Sequence, residues 1–242
     1  MPDARNRSRA LPLELHWTAA QPLPARWVLP DGARARTDAP PAEAFDFTAR
    51  MGALCADVSA RCEALRHVHM PRVLVTFTPS RNRSRYGLQA RVTPLRFRDG
   101  ALVRRHGRTE YQVQRYFVNG REMLYVLTFC LPRFLDQPFR EKLVTVLHEL
   151  YHVSPRFDGD LRRHEGRYEV HSHSKREYDA QMGELVDDYL AEHPEPGAFE
   201  FLRATYRDLA SAHGGVKGAV VPRPKLLPVG TEPARAAARK RD

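Results

Sequence analysis

A chain of 242 residues with 42% hydrophobic content is long enough to bury one substantial core with appendages. Its 39 Lys and Arg outnumber 29 Asp and Glu to give a formal net charge of +10, a balance that suits anionic partners. No apolar run approaches the length of a membrane span, and the polar start Met1-Pro2-Asp3-Ala4-Arg5 has no apolar stretch behind it, so neither a transmembrane helix nor a cleaved secretion signal is expected.

Residues 1–42 are rich in Pro, Arg and Ala and include Trp17 and Trp27, which predicts an arm wrapping a domain that spans 43–213. Between Glu43 and His69, Phe47, Met51, Leu54, Val58, Cys62 and Leu65 recur every three or four residues, the spacing of a helix with one buried face. Pro71 breaks that pattern, and 72–78 (Arg-Val-Leu-Val-Thr-Phe-Thr) reads as the first strand, with a second near Tyr86 to Phe97. Asn119-Gly120 joins two β-rich runs, Tyr111–Val118 and Arg121–Phe129, which predicts a hairpin with a type I′ turn. The strand over Met123–Leu131 is expected to border a cleft, where its free edge could pair with an extended peptide. Cys55, Cys62 and Cys130 lack C-x-x-C spacing and an even count, so they are expected as core thiols in a reducing cytoplasm. No P-loop, dinucleotide fingerprint or nucleophile elbow occurs, and the scattered serines have no catalytic context.

The next element carries the chemistry. Pro138 stands where a helix should begin, and Phe139, Leu143, Val146, Leu147 and Leu150 follow at helical spacing before Pro155 stops the run. Within it, His148-Glu149-Leu150-Tyr151-His152 spells H-E-x-x-H. Residues four apart share a helix face, so both imidazoles can reach one Zn²⁺ while Glu149 lies beside the open coordination position. A catalytic zinc needs a third protein ligand and a water whose pKa it lowers; Glu149 would take the proton of that water as general base.

The third ligand must lie downstream, where Asp158, His164, His171, His173, Glu177 and Glu184 are all candidates. His173 has the best structural argument, because Ser174-Lys175-Arg176-Glu177 forms a capping box and Tyr178, Met182, Leu185, Val186 and Tyr189 give the following helix an apolar stripe. His171, His164 and Asp158 stay open as alternatives, and Tyr178 or His171 could steady an oxyanion.

The run Leu143–His152, a strand before it and a later His opening another helix resemble the SprT-like and phage-type metallopeptidases over roughly residues 110–190. That resemblance implies an α+β zincin-like core: a small antiparallel or mixed sheet, an active-site helix and flanking helices. It further implies a zinc-dependent endopeptidase acting on a protein or peptide substrate, sometimes on DNA-bound proteins. The chain departs from the SprT pattern in having His173-Ser174 where that family has His-Gly, and in lacking a four-cysteine zinc ribbon.

After Pro194, Pro196 and Gly197, the positions Phe199, Leu202, Tyr206 and Leu209 mark a last helix. Residues 214–242 carry seven Lys or Arg against two acids and read as a disordered basic tail able to hold nucleic acid without reading its sequence. The arginines at 81, 83 and 85 could extend such a surface. A second reading follows: a nucleic-acid-associated protein whose zinc only stabilises the fold.

Overall fold

The computed structural model describes residues 11–29, 43–80, 87–163 and 175–231, and in the last stretch side chains are described for 180–230. It is an α+β architecture with four three-stranded sheets and five α-helices among the described residues.

The chain opens with two strands from the N-terminal arm, β1 (Glu14–Trp17) and β2 (Ala25–Val28), both ending in buried tryptophan or valine. The two-residue strand β3 (Phe45–Asp46) leads into helix α1 (Phe47–Arg61), where the Asp46 side chain accepts a hydrogen bond from the Ala49 amide and satisfies an otherwise orphaned donor. Phe47, Met51, Leu54, Cys55 and Val58 are the buried stripe of α1, as the spacing predicts. The helix stops earlier than the periodicity suggests because Cys62 is extended; Glu63–Leu65 continues as a single 3-10 turn that still buries Leu65. The run expected as the first strand is therefore the fourth, β4 (Val73–Pro79), preceded by strands the arm and the α1 entry supply.

Strand β4 lies in the central sheet with β10 (Tyr125–Leu131) and β5 (Ala90–Pro94) in the order β4-β10-β5; β4 runs parallel to β10, and β5 antiparallel. The period of two divides these strands between two faces. Val73, Val75, Phe77, Tyr125, Leu127, Phe129, Ala90 and Val92 join the main core, together with α1 and the helix α2 (Phe139–Tyr151). Leu74 and Val126 face the other way, into a smaller cluster with Trp17, Tyr116 and Met123.

The Asn119-Gly120 hairpin forms as expected: β8 (Arg115–Val118) pairs with β9 (Arg121–Met123), and both turn residues have positive φ, 49° and 76°, which Asn and Gly tolerate. The two runs it joins are each broken in two, however. The first half of the upstream run, β7 (Thr109–Val113), pairs with β6 (Val103–His106) and with β12 (Leu226–Thr231) in a separate sheet. Arg96 and Arg115 both donate to Glu122 Oε1 at 2.6 Å, and Arg72 approaches the same carboxylate at 3.8 Å, tying β9 to β8 and to the end of β5. Burial opposes ionisation of Glu122, but the hydrogen bonds from Arg115 and Arg96 outweigh it and hold the carboxyl below its usual range. A lowered folded-state pKa stabilises the fold above the ordinary carboxylate range and loses that contribution as pH falls through the folded value. Glu122→Gln is thus expected to cost about 2 kcal/mol near neutral pH and progressively less in acid. Thermal melts of both proteins across that pH range check it; a constant difference would contradict the assignment.

Two expectations change. The strand over Met123–Leu131 has no edge to offer a peptide: β10 is flanked on both sides, and the edge strands of this sheet are β4 and β5. The basic tail expected from Gly214 is folded through Thr231. Strand β11 (Val216–Ala219) sits between β2 and β3 with Val216 fully buried, and β12 completes the β6-β7 sheet. Gly218 explains part of this: a Cβ there would stand 2.8 Å from Thr48 Oγ1 and 2.9 Å from Phe77, so only glycine lets β11 approach the core. Residues 232–242 lie outside the described residues, as do the arginines at 81, 83 and 85.

The expected last helix is two short ones, α4 (Pro196–Phe199) and α5 (Tyr206–Ala212), separated by a 3-10 turn over Glu200–Arg203, with a Thr205/Asp208 capping box opening α5. The 3-10 turn is fastened from below by Lys142 of α2, a buried lysine whose ammonium donates to the carbonyls of Leu202 and Ala204 at 2.8 and 2.7 Å. Burial pulls that lysine down to about 8. All three cysteines are buried, as expected of core thiols, and burial pushes Cys55 up to about 12. No helix among the described residues is long and apolar enough to cross a membrane.

Candidate metal centre

Helix α2 buries Leu143, Val146, Leu147 and Leu150 against the central sheet. That register fixes where the polar residues go. His148 lies in the last turn and His152 caps the helix, one turn on along the same face. Their Nε2 atoms are 2.9 Å apart and the rings stand at 84°. Two imidazole nitrogens converging this closely must share either a proton or a cation, and two nitrogens on one tetrahedral zinc stand about 3.3 Å apart. The donor set and its convergence fit zinc.

Glu149 points to the neighbouring side of α2, where only 8% of the residue is exposed. The Val92 amide donates to its Oε2 at 2.7 Å. The reason is the strand register: Cys130 N–H bonds to Gln89 O and Leu95 N–H to Leu124 O, so the N–H of Val92 faces away from β10, toward the sheet edge. One carboxylate oxygen is thereby fixed by the sheet. Burial raises Glu149 to about 7, while the Val92 amide and the charge of Arg91 act in the opposite direction. A divalent cation nearby would draw it down again. Sequence reasoning missed Val92, and nothing in the sequence could have flagged it, because its contribution is a backbone amide brought from 57 residues away.

The chain beyond His152 turns back on itself. The Ser154 amide bonds to Asp160 O at 3.2 Å, Val153 and Leu161 form an isolated antiparallel bridge, and the Arg162 amide returns to His152 O at 2.7 Å. Arg162 also donates from Nε to Tyr151 O at 2.7 Å and lays its guanidinium 4.0 Å over the Tyr151 ring. Tyr125 anchors the turn from the sheet: its hydroxyl donates to Asp160 O at 2.8 Å and accepts from the Gly159 amide at 2.9 Å. Tyr125→Phe would strand both backbone groups in a buried place. The expected cost is about 2 kcal/mol, with a lower melting temperature and earlier proteolysis within 153–163. A Phe variant as stable as the wild type would show that the turn holds without it.

Of the remaining candidates, Asp158 sits in this turn with its carboxylate occupied: Oδ1 accepts from the Asp160 amide at 3.1 Å and Oδ2 faces Arg156 Nε at 3.2 Å. That second contact is an ion pair by distance but poorly directed as a hydrogen bond, since Oδ2 has no hydrogen-bond partner. Glu184 is exposed on α3 (Lys175–Ala191). No third His, Cys, Asp or Glu joins the histidine pair among the described residues. His164, His171 and His173 lie outside the described residues, and Tyr178 and Glu177 fall in the first turn of α3 with their side chains outside them.

The flanks of that segment are informative. Helix α3 runs antiparallel to α2: Gln181 Nε2 donates to Tyr151 OH at 3.0 Å, while Asp187 takes a bidentate pair from Arg140 near the start of α2. Lys175, six residues before Gln181, therefore extends about 9 Å past the Tyr151 end of α2. On the other side Arg162 is bonded to His152.

Compared with models of known protein families, with curated proteins and with solved structures, the chain matches none.

Proposed function

We propose that the chain is a zinc-dependent metallopeptidase with a zincin-like core, in the manner of the SprT-like enzymes it resembles, and that it works in the cytoplasm. The observation that carries this reading is the convergence of His148 and His152 Nε2 at 2.9 Å, with the carboxylate of the next residue, Glu149, buried and bonded by the Val92 amide. A structural zinc site would have no use for a buried carboxylate next in sequence to one of its ligands.

His148 and His152 would hold the metal, with His173 as third ligand. Zinc, when bound, lowers the pKa of water and polarises a carbonyl. Glu149 accepts the proton of the attacking water on the oxygen that Val92 leaves unbonded, and delivers it to the leaving amine. The edge of β5 supports a peptide substrate: Glu149 takes the Val92 amide and Pro94 has no N–H, but the outward carbonyls of Ala90 and Val92 and the Ala90 amide could pair with an extended chain. Pairing through main-chain groups gives affinity with little sequence preference. The buried free thiols favour a reducing compartment.

The test is hydrolysis of an unfolded protein such as casein. Activity is expected in zinc-loaded protein, to vanish when a chelator strips the metal and to return on adding zinc. Zinc-loaded, folded protein that cleaves nothing while binding nucleic acid in a salt-sensitive way would favour the nucleic-acid-associated reading instead.

A further inference from the structure

The face of the central sheet turned away from α1 and α2 is only partly covered. Leu74 and Val126 pack under β1, β8 and β9, but further along the strands the sheet is open. There it floors a cleft of about 520 Å³, within the range that holds small ligands. Thr76, Thr128 and Thr93 face into it from β4, β10 and β5, and the Thr76 and Thr128 hydroxyls lie 3.0 Å apart. Its wall is the connection between β11 and β12, held in place where the Val220 amide bonds to Pro24 O and the Tyr116 hydroxyl donates to Pro222 O at 2.6 Å.

Three arginines reach this volume from three separate elements: Arg26 from β2, Arg91 from β5 and Arg223 from the wall. Among the described residues no Asp or Glu lines it. Several other arginines of this fold are neutralised, Arg96 and Arg115 by Glu122, Arg140 by Asp187 and Arg163 by Asp160. Arg26, Arg91 and Arg223 have no salt bridge among the described residues. The field of Glu149 reaches Arg91, but that carboxylate is engaged at the sheet edge by Val92. Three guanidiniums with no ion pair among the described residues, beside the Thr93 and Thr128 hydroxyls, complement a compact polyanion, and guanidinium forks match phosphate oxygens. Because the cations converge on one volume rather than running in a row, the occupant is a compact molecule rather than a strand.

We infer that this cleft binds a small, multiply phosphorylated ligand of nucleotide size, at a site separate from the histidine pair. ADP is the probe, titrated calorimetrically at low ionic strength against the full chain, Arg26→Gln, Arg91→Gln, Arg223→Gln and the triple variant. Saturable binding at one site is expected, weakened about tenfold by each single change and abolished in the triple variant. All three side chains are exposed, so melting temperatures and zinc content should not move. His148→Ala should bind ADP as the wild type does, which keeps this result independent of the metallopeptidase reading. Absence of saturable binding, or binding indifferent to the three arginines, would overturn the inference. So would a single-stranded oligothymidylate that binds through the same arginines more tightly than ADP, because the occupant would then be a nucleic acid strand.

Discussion

Glu149→Gln is expected to lower peptide hydrolysis by about 10²- to 10⁴-fold while leaving zinc content unchanged. The amide is nearly the same shape as the carboxylate, and its oxygen can accept the Val92 amide that now bonds to Glu149 Oε2 at 2.7 Å, so the side chain should keep its place between α2 and β5. What disappears is the proton acceptor. Stability should hold or rise slightly, since a carboxylate that burial pushes up to about 7 is costly to keep charged and a neutral amide escapes that cost. Turnover measured beside metal content and melting temperature separates the roles. A variant with full zinc, an unchanged melt and wild-type turnover would end the general-base assignment.

The second large effect concerns the metal itself. Wild type purified under metal-replete conditions is expected to carry about one zinc per chain, as counted by mass spectrometry. His148→Ala and His173→Ala should each weaken zinc binding on the order of 10³-fold, because losing one of three protein ligands removes much of the affinity. His171→Ala should retain it. The described geometry motivates the first change directly, through the 2.9 Å approach of the two imidazoles. For the third ligand, Ser174-Lys175-Arg176-Glu177 reads as a capping box that sets His173 at the entrance of α3, the helix that meets Tyr151 of α2 through Gln181. Zinc lost in His171→Ala or His164→Ala but kept in His173→Ala would move the third ligand and leave the chemistry intact. No zinc in the wild type would remove the basis of the enzymatic reading.

What the sequence determined by itself is local. Helical spacing placed α1, α2 and α3, because a buried stripe at three- and four-residue intervals leaves little choice of conformation or face. Asn119-Gly120 determined a turn, since few other residue pairs accept two consecutive positive φ values. H-E-x-x-H on such a helix determined that His148 and His152 meet and that Glu149 lies alongside, because a helix turns 3.6 residues at a time whatever surrounds it. Only the tertiary structure decided which strands are the edges of the central sheet. β5 and β10 read alike as β-rich runs, and pairing between distant segments left β10 in the middle with Val92 turned toward Glu149. Tertiary contacts likewise made strands of residues that look like linkers by composition: the arm supplies β1 and β2, and Val216–Ala219 and Leu226–Thr231 complete two sheets. Strand pairing satisfies backbone groups by hydrogen bonds to a distant partner, so a proline-rich, basic segment can fold on a sheet edge while its own sequence signals nothing. The three-arginine cleft has the same origin, assembled from Arg26, Arg91 and Arg223, which share no stretch of sequence and meet only because β2, β5 and the β11–β12 connection surround one face of one sheet.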